Sequence, residues 1–283
     1  MNRRYILNIS CPDAVGIVAA VSGFLAGEGW FIVESSHFGD PTTGRFFMRT
    51  VFEDAAMPEI DEVKSRFAPV AQRFGMDWDI YDSGRRARLL VLVSKASHCL
   101  NDLLYRYRSG TLQVDIPAVV SNHNDLERMT EWHGIPFHCL PVSNANREAQ
   151  EARILEMVER LNVDLVVLAR YMQILTPTMC EALAGRCINI HHSFLPSFKG
   201  ARPYHQAHAR GVKLIGATAH YVTTTLDEGP IIEQEVERVD HTHAPDDLVA
   251  IGRDIEAVVL ARAVRYHVER RVLLNGVKTV VFR

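Results

Sequence analysis

The sequence predicts an α/β protein of two domains: a β-α-β-β-α-β module of antiparallel strands, followed by a doubly wound, mostly parallel sheet. Three observations carry this reading. The chain has 283 residues, 47% of them hydrophobic and 23% charged, a balance that excludes disorder, collagen and a coiled-coil rod and suits two domains. Short strands alternate with helical patterns along its length. After the polar stretch Asp82-Ser83-Gly84-Arg85-Arg86 the strands change to continuous apolar runs, so the expected domains are residues 1–83 and 84–283.

In the first domain, Tyr5-Ile6-Leu7-Asn8-Ile9 reads as a strand, and Asp13 is expected to cap a helix with Ile17, Val18, Val21, Phe24 and Leu25 on its apolar face. Gly27 and Gly29 end that helix. A strand over residues 30–38, a turn over 41–44 and a return strand over 45–52 form a hairpin. Ile60, Val63, Phe67, Val70 and Phe74 recur at steps of three and four, Gly75 stops that helix, and residues 77–81 make the last strand. This is the ferredoxin-like split βαβ order, four strands carrying two helices on one face. The free sheet face or edges of so small a module are natural places for a second copy, so a homo-oligomer is expected.

In the second domain, residues 89–93, 117–120, 137–140, 164–168 and 187–190 are apolar strands separated by helical stretches, the pattern of a parallel sheet covered on both faces. Residues 214–223 and 231–239 read as two longer strands. Pro245, followed by Asp246 and Asp247, opens a long helix with Leu248, Ile251, Ile255 and Val259. Asn275-Gly276 between two apolar runs predicts a terminal hairpin.

A net charge of −3 supplies no basic stripe for a nucleic acid, and no apolar run reaches the roughly 18–20 residues of a membrane span. Five scattered cysteines without a Cys-x-x-Cys pair fit a reducing cytoplasm. His205 with His208, and His241 with His243, are the histidine pairs that invite a metal, but no His-Glu-x-x-His or comparable ligand set accompanies them, so no metal is expected.

Ligands of open α/β sheets gather outside the carboxyl ends of the strands. Two ends stand out: the strand over 164–168 empties into Ala169-Arg170-Tyr171-Met172-Gln173-Ile174-Leu175, and that over 187–190 into His191-His192-Ser193-Phe194-Leu195-Pro196. Asn189 and His191 lie two apart in an extended segment and project from one face. An amide donor beside an imidazole that gives or takes a proton suits a carbonyl becoming an oxyanion. Asp227, in the loop Thr223-Thr224-Thr225-Leu226-Asp227-Glu228-Gly229-Pro230, offers the carboxylate that would support an imidazolium and orient a water. Each also has a structural reading. Asn189 can bond backbone, Asp227 can make an Asx-turn, and His191 is one of thirteen histidines.

The run Asn189-Ile190-His191-His192-Ser193-Phe194-Leu195-Pro196 with Gly200, then Gly216-Ala217-Thr218-Ala219-His220-Tyr221-Val222-Thr223 and Leu226-Asp227-Glu228-Gly229-Pro230-Ile231-Ile232, resembles the folate-dependent formyltransferase superfamily from about Arg88 onward. The resemblance implies Asn189, His191 and Asp227 as the catalytic trio, and Met172, Gln173, Ile174, Leu175 and Val222 as part of the wall that holds the pterin of a folate. Cys11-Pro12-Asp13-Ala14-Val15-Gly16-Ile17-Val18 resembles the start of an ACT domain, which implies an amino-acid effector near Asp13 and Gly16 and pairing with another copy. For Asp13 to Gly16 a helix cap and tight turn is the equal alternative.

Glycinamide ribonucleotide transformylases of this superfamily cradle the acceptor's phosphate with a glycine-rich segment after the first catalytic strand. The matching stretch here, Val93-Ser94-Lys95-Ala96-Ser97-His98-Cys99-Leu100, has no glycine, and Cβ atoms hinder the backbone approach that a phosphate nest uses. Lys95 keeps only a point charge there. The resemblance therefore implies hydrolysis of 10-formyltetrahydrofolate by water, with the folate as substrate and no separate cofactor. Transfer to an amine and a noncatalytic amino-acid sensor are the alternatives.

Overall fold

The computed structural model describes residues 3–193 and 203–283; Phe194, Leu195, Pro196 and Gly200 of the motif lie outside the described residues. The chain divides into two units. The first comprises Met1–Arg86 with Glu269–Asn275 and Thr279–Arg283, and the second holds Ala87–Val268 with Gly276–Lys278. Expected boundaries differ in two places. The linker falls three residues later, and the C-terminal strands join the first unit instead of the second.

The first unit runs β1 (Arg3–Pro12), α1 (Ile17–Gly27), β2 (Phe31–Asp40), β3 (Arg45–Asp54), α2 (Ile60–Phe74) and β4 (Asp77–Asp82). The strands lie in the order β2-β3-β1-β4, and all neighbouring pairs are antiparallel. Alternate residues of β1 and β3 separate two faces. Leu7, Ile9, Phe46, Met48 and Phe52 join Val21, Leu25 and Phe67 of the helices in one core, where full burial of a side chain such as Phe67 contributes about 1.5–3 kcal/mol. On the other face Phe47 packs with Leu273 and Phe282, and the buried Arg49 donates to the Glu269 carbonyl at 3.0 Å.

Two local expectations are corrected. Asp13 does not cap α1. The cap is Gly16, at φ 95°, with no side-chain cap hydrogen bond, because the chain enters the helix through a left-handed residue that only glycine adopts freely. The terminal hairpin, β12 (Val272–Asn275) and β13 (Lys278–Val281), turns at Gly276-Val277 instead of Asn275-Gly276. Asn275 stays in the strand because its side chain donates to Asp40 Oδ2 at 2.7 Å.

The second unit begins with β5 (Ala87–Val93), α3 (His98–Arg108), β6 (Val114–Ser121), α4 (Glu127–Trp132), β7 (Phe137–Cys139), α5 (Arg147–Arg160) and β8 (Leu165–Leu168). It continues with α6 (Pro177–Ala182), β9 (Cys187–His191), α7 (Pro203–Arg210), β10 (Leu214–Tyr221), β11 (Ile231–Arg238) and α8 (Pro245–Val268). Its seven strands are ordered β11-β10-β9-β8-β5-β6-β7. Pairs from β9 across to β7 are parallel, and β10 and β11 are antiparallel. Leu89 to Val93 are wholly buried, as central strands covered on both faces require. Leu90, Leu92, Val166 and Leu168 pack with Ile154 and Val158 of α5, while α8 packs on α3, β9 and β10. Strand order reverses between β5 and β8, so the carboxyl ends of β5, β8 and β9 open on one crevice.

Candidate active site

One cavity of about 330 Å³ lies along that edge, lined by Arg170 to Leu175 after β8, Asn189 to His192 at the end of β9, His220 of β10 and Val222 to Asp227 before β11. All eight residues expected for catalysis and folate binding therefore border one space: Asn189, His191, Asp227, Met172, Gln173, Ile174, Leu175 and Val222. The remaining two, Asp13 and Gly16, belong to the first unit, where Asp13 N–H donates to the Gly44 carbonyl at 2.9 Å.

β9 delivers Asn189 and His191 two residues apart, and Asp227 reaches them from the loop after β10. His191 Nδ1 stands 3.3 Å from Asp227 Oδ2, and its Nε2 stands 2.8 Å from Ser193 Oγ. The loop is held by two features. Asp227 takes the left-handed φ of 57°. At Gly229 a Cβ would come within 1.7 Å of the Tyr221 carbonyl oxygen, so only glycine lets the chain pass that close to β10. Tyr221 N–H also donates to the Pro230 carbonyl at 2.9 Å.

His220, 2% exposed, organises the other side. Its Nδ1 faces the Tyr221 carbonyl at 2.9 Å; a carbonyl only accepts, so the ring proton sits on Nδ1. The neutral ring then presents Nε2 as acceptor to Asn189 Nδ2, at 3.3 Å. An amide nitrogen carries two hydrogens, so Asn189, which lines the cavity, keeps one for a second acceptor. His220 Nε2 is also 3.7 Å from Asp227 Oδ1.

Burial alone would raise the Asp227 pKa, but the contact with His191 outweighs it and holds the carboxyl well below the usual range. It stays ionised, and so weak a base is better suited to supporting an imidazolium than to taking a proton itself.

The folate-wall expectation falls on a strongly exposed apolar lip, Met172 and Ile174 each being 58% exposed. Its backbone is tied to the end of β5. Met172 N–H donates to Ser94 Oγ at 3.0 Å, and Ser94 Oγ donates to Asn122 Oδ1 at 2.7 Å. Sequence reasoning missed Ser94 and Asn122, which are 78 and 50 residues from Met172. It left His192 unassigned. The only signal for these residues was their place at strand ends.

Residues 87–264 match the formyl transferase family model, the class of protein that this sheet and its polar edge define. The chain is 50% identical over 281 residues to a formyltetrahydrofolate deformylase of Corynebacterium sp. (strain P-1), covering 99% of this chain and 98% of that protein. The crystal structure of formyltetrahydrofolate deformylase from Burkholderia mallei ATCC 23344 matches with a TM-score of 0.94 at 52% identity, covering 99% of this chain and all of that one. Glycinamide ribonucleotide transformylase 1 from Symbiobacterium toebii matches with a TM-score of 0.66 at 32% identity, over 72% of this chain and 97% of that one. The chain belongs to the formyltetrahydrofolate deformylase family.

Proposed function

We propose that this protein hydrolyses 10-formyltetrahydrofolate to tetrahydrofolate and formate. The observation that carries the reading is the His191–Asp227 pair beside Asn189 in one cavity, in a chain similar along nearly its whole length to proteins named as deformylases.

The formyl group on N10 is a resonance-stabilised amide, so the barrier lies in making its carbon tetrahedral and expelling the arylamine. Water attacks the formyl carbon and gives a proton to His191, whose imidazolium Asp227 supports. Asn189, oriented by His220, donates to the oxyanion. The same imidazolium then returns the proton to N10, the C–N bond breaks, and formic acid and the amine leave. Met172, Gln173, Ile174, Leu175 and Val222 hold the pterin.

Water is the acceptor because the loop after β5 has no glycine and Ser94 is engaged with Met172 and Asn122. The first unit is read as an ACT-like module with an amino-acid effector near Asp13 and Gly16, and the assembly as a homo-oligomer. Incubation with 10-formyltetrahydrofolate alone tests the activity: equimolar formate and tetrahydrofolate support hydrolysis, and release only on adding an amine would replace it with transfer.

A further inference from the structure

The second unit holds a buried polar cluster that the hydrolytic steps above do not use. Glu256 of α8 is 1% exposed. Its Oε2 accepts from His98 Nε2 at 2.7 Å, its Oε1 accepts from the Tyr204 hydroxyl at 2.8 Å, and Arg170 Nε stands 3.4 Å from Oε2. A Cβ at Gly252, one turn earlier on α8, would overlap the Tyr204 ring at 2.1 Å, so the tyrosine reaches the carboxylate only because that position is glycine. His98, Cys99 and Glu256 lie close enough to suggest a cation site. The guanidinium beside Glu256 opposes a cation electrostatically, and the His98 and Tyr204 donors already occupy the two carboxylate oxygens.

Arg170 leads from this cluster to the active site. It takes φ 64°, a left-handed conformation uncommon for a side chain of its size, and its Nη1 lies 2.8 Å from His192 Nδ1. A guanidinium only donates, so His192 Nδ1 must be an unprotonated acceptor, with the ring proton on Nε2. The His192 ring in turn lies over the His191 ring, centroids 4.8 Å apart and planes at 20°. We propose that Glu256, Arg170 and His192 form a positioning relay: Glu256 holds Arg170, Arg170 keeps His192 as a neutral acceptor of fixed tautomer, and His192 fixes the face of His191 while Asp227 fixes its edge.

The consequence is a division of protons. Two imidazoles stacked at this distance compete for one proton unless one of them is disabled. Burial, then the charge of Arg170, then His191 push the His192 pKa down to about 4, against smaller opposing effects of Glu256 and Asp227. His191 is left as the ring that carries the catalytic proton. The inference rests on the proposed hydrolysis for its kinetic readout only.

Two measurements test it. Imidazole nitrogen NMR on the native protein between about pH 5 and 8, the range in which free histidine titrates, is expected to show His192 as the Nε2–H tautomer throughout; protonation of His192 above pH 6 would overturn the relay whether or not formate is released. The second measurement is the pH profile of the double variant Arg170→Met/Glu256→Gln, which removes both charges together. Its kcat is expected to fall about tenfold or more with KM within about threefold, and its acid limb to move to higher pH as His192 gains a proton. Adding His192→Phe is expected to return the limb to its native position. A native pH profile in the double variant, or no return of the limb in the triple variant, would contradict the proposal. If these variants do not fold, the NMR result on native protein decides.

Discussion

Asp227 Oδ2 lies 3.3 Å from His191 Nδ1, joining a loop after β10 to the end of β9 across 36 residues of sequence. That contact makes the strand's imidazole one half of a dyad. It also depends on the loop's shape, since Asp227 reaches the ring from a left-handed backbone conformation.

Replacing Asp227 with Asn removes the charge that supports an imidazolium while keeping the volume. We expect kcat to fall by roughly 10²–10⁴, with tetrahydrofolate affinity changed less than about threefold in fluorescence titration. Because the Asp227 pKa is held low by His191, the carboxylate stays ionised over the working range. The acid limb of kcat in the native protein should not report its protonation.

Asn189→Ala should lower kcat by roughly 10²–10³, about 2.7–4 kcal/mol of barrier, as loss of one oxyanion donor does. His220→Ala should act through the same amide, because His220 Nε2 is the acceptor that orients Asn189 Nδ2. The two losses should therefore be strongly non-additive in a double-mutant cycle of kcat/KM.

Gly229→Ala places a methyl within 1.7 Å of the Tyr221 carbonyl oxygen, which only a shift of the 223–230 loop relieves. A displacement of about 1 Å at Asp227 should reduce kcat about 10²-fold, and a crystal structure of the variant should show the His191–Asp227 contact opened.

Asp40 has its pKa lowered to about 2, first by the Thr42 backbone N–H and then by Asn275 and Thr43. A depressed folded-state pKa means that the unfolded chain binds the proton more readily. The stability is fully present above the unfolded value of about 3.9 and is lost as pH falls through about 2. Asp40→Asn should flatten the acid part of the unfolding curve in that window, followed by tryptophan fluorescence, and leave kcat at neutral pH unchanged.

Much of this architecture was legible because its signals are local. Ile60, Val63, Phe67, Val70 and Phe74 mark α2 from its first to its last residue, and the apolar runs locate β5, β8 and β9 to within two residues. Asn189 and His191 were visible as a pair because period-two geometry puts them on one face of β9. The misses have long-range causes. Asp13 looked like a cap until the left-handed Gly16 took that place. The terminal turn moved one residue because Asn275 is bonded to Asp40, 235 positions away. Glu256 reads as one more polar residue on α8, and nothing short of the packed fold brings it to Arg170 and His98.

The most direct test of the central claim is rapid-quench turnover of 10-formyltetrahydrofolate in ¹⁸O-water, native protein beside Asp227→Asn. The account predicts one labelled oxygen in formate for each tetrahydrofolate released by the native protein, and folate binding without release by the variant. Unlabelled formate, or equal release by both proteins, would contradict it.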